Sequence, residues 1–544
     1  MNITLQSLFC RIRKTQKIYL AILFCIVFTT IESDGQVIQT NRFERKQKGS
    51  DDYYTIISLK DEGLCLLRHK DKYNGNKRVW EFVLLDTALA EKKTVEFEIE
   101  NRNNLVGYEY VSGFIYFLFR AGDTNKNMLF LVEFNVDGVE ISRHEIKPEL
   151  DFRLTHFIKV GSKMVLGGYV SKDPVILLYE MNTNLIKVVP GFFQKENELV
   201  DLRGNVNNTF NTVLIDRSTK AEKKLIFRTF DEEGEMLLED VVPIDDRKSL
   251  QTSITSSLER EELMVLGSWG DRQSKQSVGF FSLMVDPFGD QKINYFDFAS
   301  LNHYLDFMKP TRARRIQEAS ERDIKAGRNP DFANYVMPYK VEEHKEGFFM
   351  LAEVYEQSGA TNQFNNPYTN PYGMGYGGFY PYYYNPYYPG FYPSRMYNPY
   401  GYGGNVRNAE QIKTTQSVLL AFDSKGKLLW DQGMKVDETT RQSITQISDF
   451  VYWKGEIVFV YKNKDADIKV KIIEPLGDSS EDISEKVRMR NPADEFRSER
   501  EQEGGVRSWY KNSFYVWGYQ TIRNINDRED RVRDVFYINK VVVN

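Results

Sequence analysis

The residue types that most often perform catalysis are few and scattered in this sequence of 544 residues. No two of its five histidines have the spacing of a metal-binding pair such as H-x-x-x-H. Neither a G-x-S-x-G nucleophile motif nor a lysine-bearing, glycine-rich phosphate loop is present. The sequence therefore indicates no particular reaction, and we predict no catalytic residue, no metal site and no cofactor.

A pair of carboxylates is the one catalytic arrangement that the composition leaves open. Enzymes that cleave glycosidic bonds place two Asp or Glu side chains on either side of the bond. With 77 acidic residues many pairs could be nominated, and the stretches VDLRGN at 200–205 and LDF at 305–307 are no stronger than others. A carbohydrate-active enzyme is therefore kept as an alternative.

Some of the acidic residues belong to a recurring four-residue turn. Asp or Asn at its start can accept hydrogen bonds from the backbone, and Gly or Asn later supplies a positive φ. The carboxylates that complete a calcium loop do not follow, so we interpret these segments as hairpin turns. The turns are NVDG at 135–138, DEEG at 231–234, DPFG at 286–289 and DSKG at 423–426, with MNTN at 181–184 in the same position.

A tyrosine-rich segment offers chemistry of another kind. Residues 379–404 read FYPYYYNPYYPGFYPSRMYNPYGYGG, and the segment around them has too much Pro and Gly for a helix or strand. Tyrosine combines a flat apolar face with a phenol that donates and accepts hydrogen bonds. We predict a disordered or loosely extended contact segment whose candidate partner-binding residues are Tyr380, Tyr382, Tyr383, Tyr384, Tyr387, Tyr388, Tyr392 and Arg395.

The partner of such a segment is left open by the sequence. Tyrosines could stack on the sugar rings of a cell-wall polysaccharide, on a partner protein or on other Tyr-rich chains. A low-complexity expansion of a surface loop without a partner is the competing interpretation.

Short strands recur along the rest of the chain. Eight of them follow a turn, and the first five begin about 46–53 residues apart, which is the length of a four-stranded propeller blade. They begin at Gly63, Gly113, Lys163, Thr209, Glu262, Gly347, Gly455 and Ser513. A further apolar strand follows each one: RVWEFVLLD, MLFLVEF, VILLYEM, KLIFRTF, VGFFSLM, SVLLAFD, IKVKIIE and VRDVFYI.

This pattern predicts an all-β chain folded as a β-propeller of eight blades, with seven as the alternative. Radial closure would remove the free sheet edges, and we expect both chain ends to pair in one blade. The chain resembles secreted β-propeller repeat proteins over residues 36–544, but it has no WD series, kelch double glycine or other family signature. The resemblance implies a fold and no function.

Two insertions interrupt the repeats. The first, at about 300–339, contains TRARRIQEASERDIKAGRNP, which predicts a polar surface helix from an N-cap at Thr311 to Gly327. Its Arg312, Arg314 and Arg315 could contact an acidic partner. The simpler interpretation is a solvent-exposed helix face on which nearby acidic residues balance the charge of these arginines. The second, at about 357–412, is the tyrosine-rich segment, placed between the second and third strands of the sixth repeat.

The N-terminus predicts export. A basic stretch precedes the 13-residue apolar run at 18–30, so we interpret residues 1–35 as a removed signal peptide, with an uncleaved membrane anchor as the alternative. Cys65 would then be the one cysteine left in the mature chain, without a disulfide. An exported protein of this size without disulfides favours a bacterial envelope, either the periplasm, the outer membrane or the cell surface.

Together these features predict a non-catalytic binding or scaffold propeller of the cell envelope. Its partner would be a protein or a cell-wall polysaccharide, and a self-associating structural protein is a further alternative. The net charge of −5 gives no general attraction to nucleic acid. We expect no membrane-spanning segment in the mature chain and make no prediction of oligomeric state.

Overall fold

A computed structural model describes most of the chain after the predicted signal peptide. The described residues are 37–48, 52–121, 128–193, 196–216, 222–256, 263–272, 276–286, 288–289, 291–330, 332, 334–358, 411–441, 446–480, 482–500, 504–526 and 531–544. The predicted signal peptide and the candidate binding residues at 380–395 lie outside these ranges.

Within the described residues the chain forms strands β1 to β33, which make eight antiparallel sheets. The first described strand is β1 (Val37–Lys46), which joins the last sheet. The first four sheets are β2 (Thr55–Ser58), β3 (Leu64–Asn74), β4 (Lys77–Leu85) and β5 (Glu91–Glu100); β6 (Asn103–Val111), β7 (Phe114–Ala121), β8 (Leu129–Asn135) and β9 (Glu140–Ile146); β10 (Phe152–Val160), β11 (Lys163–Val170), β12 (Asp173–Glu180) and β13 (Leu185–Val188); and β14 (Asn197–Gly204), β15 (Phe210–Asp216), β16 (Lys223–Phe230) and β17 (Met236–Ile244).

The remaining sheets repeat the same order. They are β18 (Lys248–Thr255), β19 (Leu263–Asp271), β20 (Gly279–Val285) and β21 (Asn294–Asp297); β22 (Tyr335–His344), β23 (Gly347–Ser358), β24 (Gln411–Asp423) and β25 (Leu428–Arg441); β26 (Ser448–Trp453), β27 (Glu456–Lys462), β28 (Asp467–Ile473) and β29 (Ile483–Lys486); and β30 (Asp494–Glu499), β31 (Gly505–Ser508), β32 (Ser513–Asn524) and β33 (Val532–Val543) with β1.

The architecture is an eight-bladed β-propeller, so the first choice of blade number is confirmed and seven is wrong. The sheets are called blades 1 to 8 in the order given above. In blades 1 to 7 four consecutive strands pair with their neighbours, and the first strands of successive blades lie side by side around the axis. The eight strands predicted to follow a turn are the second strands of the eight blades, and the apolar strands after them are the third.

Blade 8 is built from both ends of the described chain. Strand β1 pairs antiparallel with β33, from Val37 opposite Val543 to Lys46 opposite Val535. The expected closure is therefore confirmed. The inner part of this blade is divided between β30 and β31, which pair with successive parts of β32.

Within the described residues the hydrophobic core forms eight large clusters, one in each wedge between neighbouring blades, and one small cluster apart from them. In β7, Phe117 and Phe119 belong to the cluster shared with blade 1, whereas Tyr116 and Leu118 belong to the cluster shared with blade 3. Successive side chains of a strand point to opposite faces, and here both faces are buried. This explains why the second and third strands have nearly continuous apolar sequences.

A β-bulge recurs in the first strand of five consecutive blades, 2 to 6. In blade 3, for example, Leu154 and His156 oppose the adjacent residues Gly168 and Gly167, so Thr155 is the extra residue. A bulge sharpens the local twist of a strand. Its recurrence at the same place bends the inner strands alike around the axis.

The helix of the first insertion is α1 (Pro310–Lys325), in the connection from β21 to β22. The predicted N-cap at Thr311 is wrong, because Lys309 occupies the N-cap and Pro310 begins the helix. Gly327 follows the helix with a φ of 70°, which confirms its predicted place after the C-terminus. In the described part of the chain, no helix combines the length and the apolar character needed to span a membrane.

Candidate functional site

Both insertions leave the propeller on the same face. Antiparallel order places the turns from first to second and third to fourth strands at one end of every sheet, which we call the turn face. The connections from second to third strands and from one blade to the next are at the other end, the insertion face. Residues 359–410 join β23 to β24, and the segment carrying α1 leads into β22, so both insertions are attached to blade 6.

The segment that carries α1 is firmly anchored. The carboxylate of Asp431 in β25 accepts hydrogen bonds from the backbone N–H groups of Asn302 and His303, both at 2.8 Å. Gln416 donates to the carbonyl oxygen of Tyr304 at 2.8 Å, and the ring of Tyr304 stacks on Phe298 with centroids 4.1 Å apart. These contacts fasten the start of the insertion to blade 6.

The arginines of α1 are presented to solvent. Ala313 and Ile316 pack against the cluster between blades 5 and 6, which turns Arg312, Arg314 and Arg315 outward. Arg314 lies 3.6 Å from Glu318, and both side chains are exposed. An exposed pair of this kind contributes little to stability, so these cations are available to an acidic partner.

Aromatic residues surround the base of the tyrosine-rich insertion. Met337, Tyr339 and Tyr355 form a small buried cluster, and the ring of Tyr335 stacks on that of Tyr355 at 5.5 Å. Tyr335 is opposite Tyr355 in the pairing of β22 with β23, three residues before the end of β23. Burial raises the pKa of Tyr335 above its usual value. The segment thus starts from an ordered aromatic platform.

Carboxylates on the inner strands connect neighbouring blades. Asp201 in blade 4 accepts hydrogen bonds from the backbone N–H of Thr255 at 2.8 Å and from its hydroxyl at 2.7 Å. Asp449 in blade 7 accepts the same two bonds from Ser508 in blade 8. Burial raises the pKa of Asp201, although Arg203 and these donors oppose the shift. We call these pairs blade locks, because their geometry serves assembly of the ring.

A third carboxylate of this kind comes from a second strand. Glu353 accepts hydrogen bonds from the N–H groups of Ile447 and Ser448, at 2.8 and 3.0 Å.

The acidic residue in the LDF stretch is Asp306, which lies 2.8 Å from His303 on an exposed part of the insertion. The structure thus does not bring Asp306 and Asp201 together as a catalytic pair.

A group of buried and partly buried ionisable side chains lies between blades 2 and 3. Glu109, Tyr116 and Glu133 are opposite one another on three adjacent strands, and the Lys159 ammonium lies 5.5 Å from the centre of the Tyr116 ring. Burial lowers the pKa of Lys159 and raises that of Tyr116. Glu109 is 1% exposed and Tyr116 6%, so a polysaccharide substrate cannot reach them in this arrangement.

A cleft of about 560 Å³ opens beside blade 8. It is lined by Glu44, Lys46, Arg490, Asn491, Pro492, Asp494, Arg533 and Val535. Arg533 lies 2.8 Å from Asp494 and 3.6 Å from Glu44, so acidic and basic side chains of the lining already pair with one another. The mixture of charges selects no single class of ligand.

The histidines are spread over the propeller, as the sequence predicts. Their partners include Asp52 for His69, Glu133 for His144, Thr155 for His156, Asp306 for His303 and both the Glu346 N–H and the Phe349 ring for His344. No three His, Cys, Asp or Glu side chains come together as possible metal ligands in the part of the chain that the structure describes.

Sequence reasoning missed the blade locks, the aromatic platform and the cleft. Asp201 and Thr255 are 54 residues apart, and Asp449 and Ser508 are 59 apart, so no local pattern marks either pair. The turn carboxylates were interpreted correctly: Asp423 accepts hydrogen bonds from the N–H groups of Lys425 and Lys427 within its own turn.

The comparisons with known proteins concern architecture alone. No family model matches the sequence, and no curated protein matches it. The β-propeller domain of the Trilobed protease from Pyrococcus furiosus is 12% identical, with a TM-score of 0.33, over 80% of this chain and 95% of that one.

Two further solved structures are similar over most of the chain. The polysaccharide lyase Uly1 is 7% identical with a TM-score of 0.38, over 92% of this chain and all of that one. The dihydro-heme d1 dehydrogenase NirN is 10% identical with a TM-score of 0.39, over 93% and 78%. Likeness at this level says nothing about activity, and the assignment as an eight-bladed propeller rests on the hydrogen-bonded sheets of this chain.

Proposed function

We propose that this protein is a non-catalytic binding or scaffold propeller of the bacterial cell envelope. Its insertion face holds the partner, and the tyrosine-rich segment makes the contact. The partner is a protein or a polysaccharide of the cell wall. The proposed export rests on the predicted signal peptide.

The observation that carries this proposal is the attachment of both insertions to blade 6 on one face. Elsewhere on that face the connections are short; β3 and β4, for example, are joined by two residues. Long loops in a compact fold are commonly functional. The exposed arginines of α1 would give the partner charged contacts on the same face.

The first experiment compares three forms of the mature chain: the complete one, one lacking 363–405, and one in which every tyrosine in 363–405 is replaced by serine. The serine variant keeps the length and backbone of the segment and removes only the rings. Each form is used to retain proteins from native envelopes and is sedimented with insoluble cell-wall polysaccharide. Retention of one specific protein, or of the wall, by the complete chain alone supports the proposal.

Equal retention by all three forms would contradict a contact role for the tyrosines. If the form with the deletion loses the partner and the serine variant retains it, the segment acts through its length and not through its tyrosine rings. The same three proteins are compared by light scattering over a range of concentrations. Assembly that requires the tyrosines would favour the self-associating structural alternative.

The alternative of a glycan-cleaving enzyme gains no specific support from the carboxylates that connect neighbouring blades. Asp201, Glu353 and Asp449 are engaged by N–H groups of the next blade. A general acid or nucleophile must instead face its substrate. Release of sugar from wall polysaccharide by the complete chain, abolished by substitution of one carboxylate, would restore this alternative.

A further inference from the structure

Large apolar side chains are exposed at the turn face of five consecutive blades. Turns at a protein surface favour Gly, Pro, Asn, Asp and Ser, yet here each turn from third to fourth strand carries or adjoins an exposed hydrophobic residue. These residues are Leu185 in blade 3, Met236 and Leu237 in blade 4, Phe288 in blade 5, Leu429 in blade 6 and Leu476 in blade 7. We call this set the apolar arc.

Two of these turns have the same design. DPFG at 286–289 and EPLG at 474–477 are each closed by a hydrogen bond from the glycine N–H to the carbonyl oxygen of the acidic residue, at 3.2 and 2.9 Å. Their third residues are Phe288, 98% exposed, and Leu476, 86% exposed. The equivalent turns of blades 4 and 6 carry Glu233 and Lys425 at this place. An apolar tip is therefore not required by the turn.

The apolar arc does not continue into blades 1, 2 and 8, because their outer turns differ. In blade 1 the apolar residue of the corresponding turn, Leu89, is folded inward and is 4% exposed. In blade 2, Val136 and Val139 are partly buried and pack on the core. Blade 8 takes its outer strand from β1 and so lacks this turn.

Two of the five turns are fastened to the neighbouring blade. The turn of blade 7 is fastened to blade 6, where Trp430 donates from Nε1 to the carbonyl oxygen of Pro475 at 3.0 Å and Gln432 donates to that of Gly477 at 2.7 Å. The turn of blade 4 is fastened to blade 3, where Lys187 donates to the carbonyl oxygen of Glu233 at 2.8 Å. The apolar residues of such turns therefore lose little conformational entropy when they become buried against a partner surface.

We propose that the turn face docks on a zwitterionic lipid surface by inserting the apolar arc between the headgroups. Single side chains at separate turns on one face suit a fluid plane that closes around each of them, whereas a protein partner would need a pocket for every tip. Burial of apolar area in the interface supplies the attraction. This inference goes beyond the proposed function and uses the opposite face.

The charges around the arc select the kind of lipid. The turns at 181–184, 231–235, 286–289, 423–427 and 474–478 together contain eight carboxylates and two lysines. Lys163 and Lys187 pair with two of these carboxylates, Glu233 and Glu235, which still leaves an excess of negative charge that anionic headgroups repel. The outermost charged group of phosphatidylcholine and phosphatidylethanolamine is an ammonium, which complements the carboxylates.

The test is flotation of the complete mature chain with vesicles of phosphatidylcholine and phosphatidylethanolamine in equal parts. The tip variant carries Phe288→Ser and Leu476→Ser. The matched control carries Ile525→Ser and Val532→Ser, which remove two hydrophobic side chains, 54% and 60% exposed, from the insertion face. We expect the tip variant to lose at least about tenfold in vesicle affinity, and the control to bind like the unaltered protein.

Three results would overturn the inference: no flotation of the unaltered protein, equal loss in both variants, or stronger binding when phosphatidylglycerol is added. In the first case the arc would be assigned to a protein surface. As an independent measurement, Phe288→Trp and Val532→Trp variants are mixed with vesicles of brominated phosphatidylcholine. Quenching beyond that of the unaltered protein is expected for the first variant and not for the second. All of these substitutions lie outside the tyrosine-rich segment, so a difference between the variants reports on the arc.

Discussion

The carboxylate of Asp449 in blade 7 accepts two hydrogen bonds from Ser508 in blade 8, from the backbone N–H at 2.8 Å and from the hydroxyl at 2.9 Å. The side chain of Asp449 is buried, and the Lys340 ammonium of blade 6 lies 3.6 Å from its other oxygen. Lys340 also donates to the carbonyl oxygen of Phe450 at 2.7 Å. One carboxylate therefore connects three consecutive blades.

Replacing this carboxylate should weaken the ring. Asp449→Ala leaves the Ser508 N–H without its acceptor and removes one of the two carboxylates beside the Lys340 ammonium, so we expect it to lower the free energy of unfolding by about 1–3 kcal/mol. Asp449→Asn keeps an acceptor for Ser508 and should cost less. Denaturant unfolding measures both, with Asp482→Ala as the control, an exposed carboxylate of the same blade. A loss equal to that of the control would contradict the lock.

A buried ion pair fastens blade 7 to blade 8. Lys462 donates to Glu499 and to the carbonyl oxygen of Trp517 at 3.0 Å, and the Tyr537 hydroxyl donates to Glu499 at 3.1 Å. Lys462→Met should cost about 3–5 kcal/mol, because it leaves a carboxylate uncompensated. Adding Glu499→Gln to that variant should restore part of the loss.

Thermal unfolding of the two single variants and the double variant gives the coupling between the two sites. Strictly additive losses would show that the two side chains act independently. Gly518→Ala is a second way to disturb this ion pair, because an added Cβ would clash with a Glu499 carboxylate oxygen. That variant should be destabilised as well.

Arg42 in β1 holds the closing strand in blade 8. Its guanidinium donates to the Asn539 side chain at 3.0 Å, to the carbonyl oxygen of Arg488 at 3.1 Å and to Gln520 at 3.1 Å, and it lies 4.3 Å from the centre of the Tyr537 ring. Arg42→Lys cannot reproduce this fork and ring contact. We expect hydrogen exchange in β1 and β33 to increase by at least about tenfold, while exchange in β11 stays unchanged. A uniform increase over all blades would contradict a local role for Arg42.

Stability should depend on pH through His156. Burial lowers the pKa of this imidazole to about 4, whereas in an unfolded chain it is about 6.5. The unfolded state then binds a proton first as the pH falls from about 6.5 to about 4, so the folded state loses stability over that range. At about 1.4 kcal/mol per pKa unit, the loss over this range is about 3 kcal/mol.

His156→Gln removes this titration. Its free energy of unfolding should decline less than that of the unaltered protein between pH 7 and about pH 4. Denaturation at a series of pH values gives the difference between the two proteins, in which the other ionisable groups largely cancel. Parallel curves would show that His156 is not the responsible group.

The second and third strands of each blade could be predicted from the sequence because both of their faces are buried. LCLL within β3 and VLLAF within β24 are continuous apolar runs. The first and fourth strands were harder to recognise. Strand β31 has four residues, and Asp201 and Arg203 interrupt β14, where a bulge also changes the alternation.

The candidate site was predictable only in part. The sequence located the insertions between the correct strands, because each is a polar or Tyr-rich interruption of the strand pattern. It could not show that both lie on one face of blade 6, since this follows from the direction of successive strands. Nor could it single out Phe288 and Leu476, because an apolar residue in a turn can also fold inward, as Leu89 does.

The sequence by itself determined an all-β chain of eight repeats, since short-range alternation, turn residues and repeat length are local properties. The tertiary structure decided which side chains meet across blades, such as Asp449 and Ser508, and which apolar residues stay in solvent, such as Phe288. Those outcomes depend on how the ring closes and on where each turn falls relative to its neighbour. Contacts between residues far apart in the chain are fixed by packing, and no local pattern encodes them.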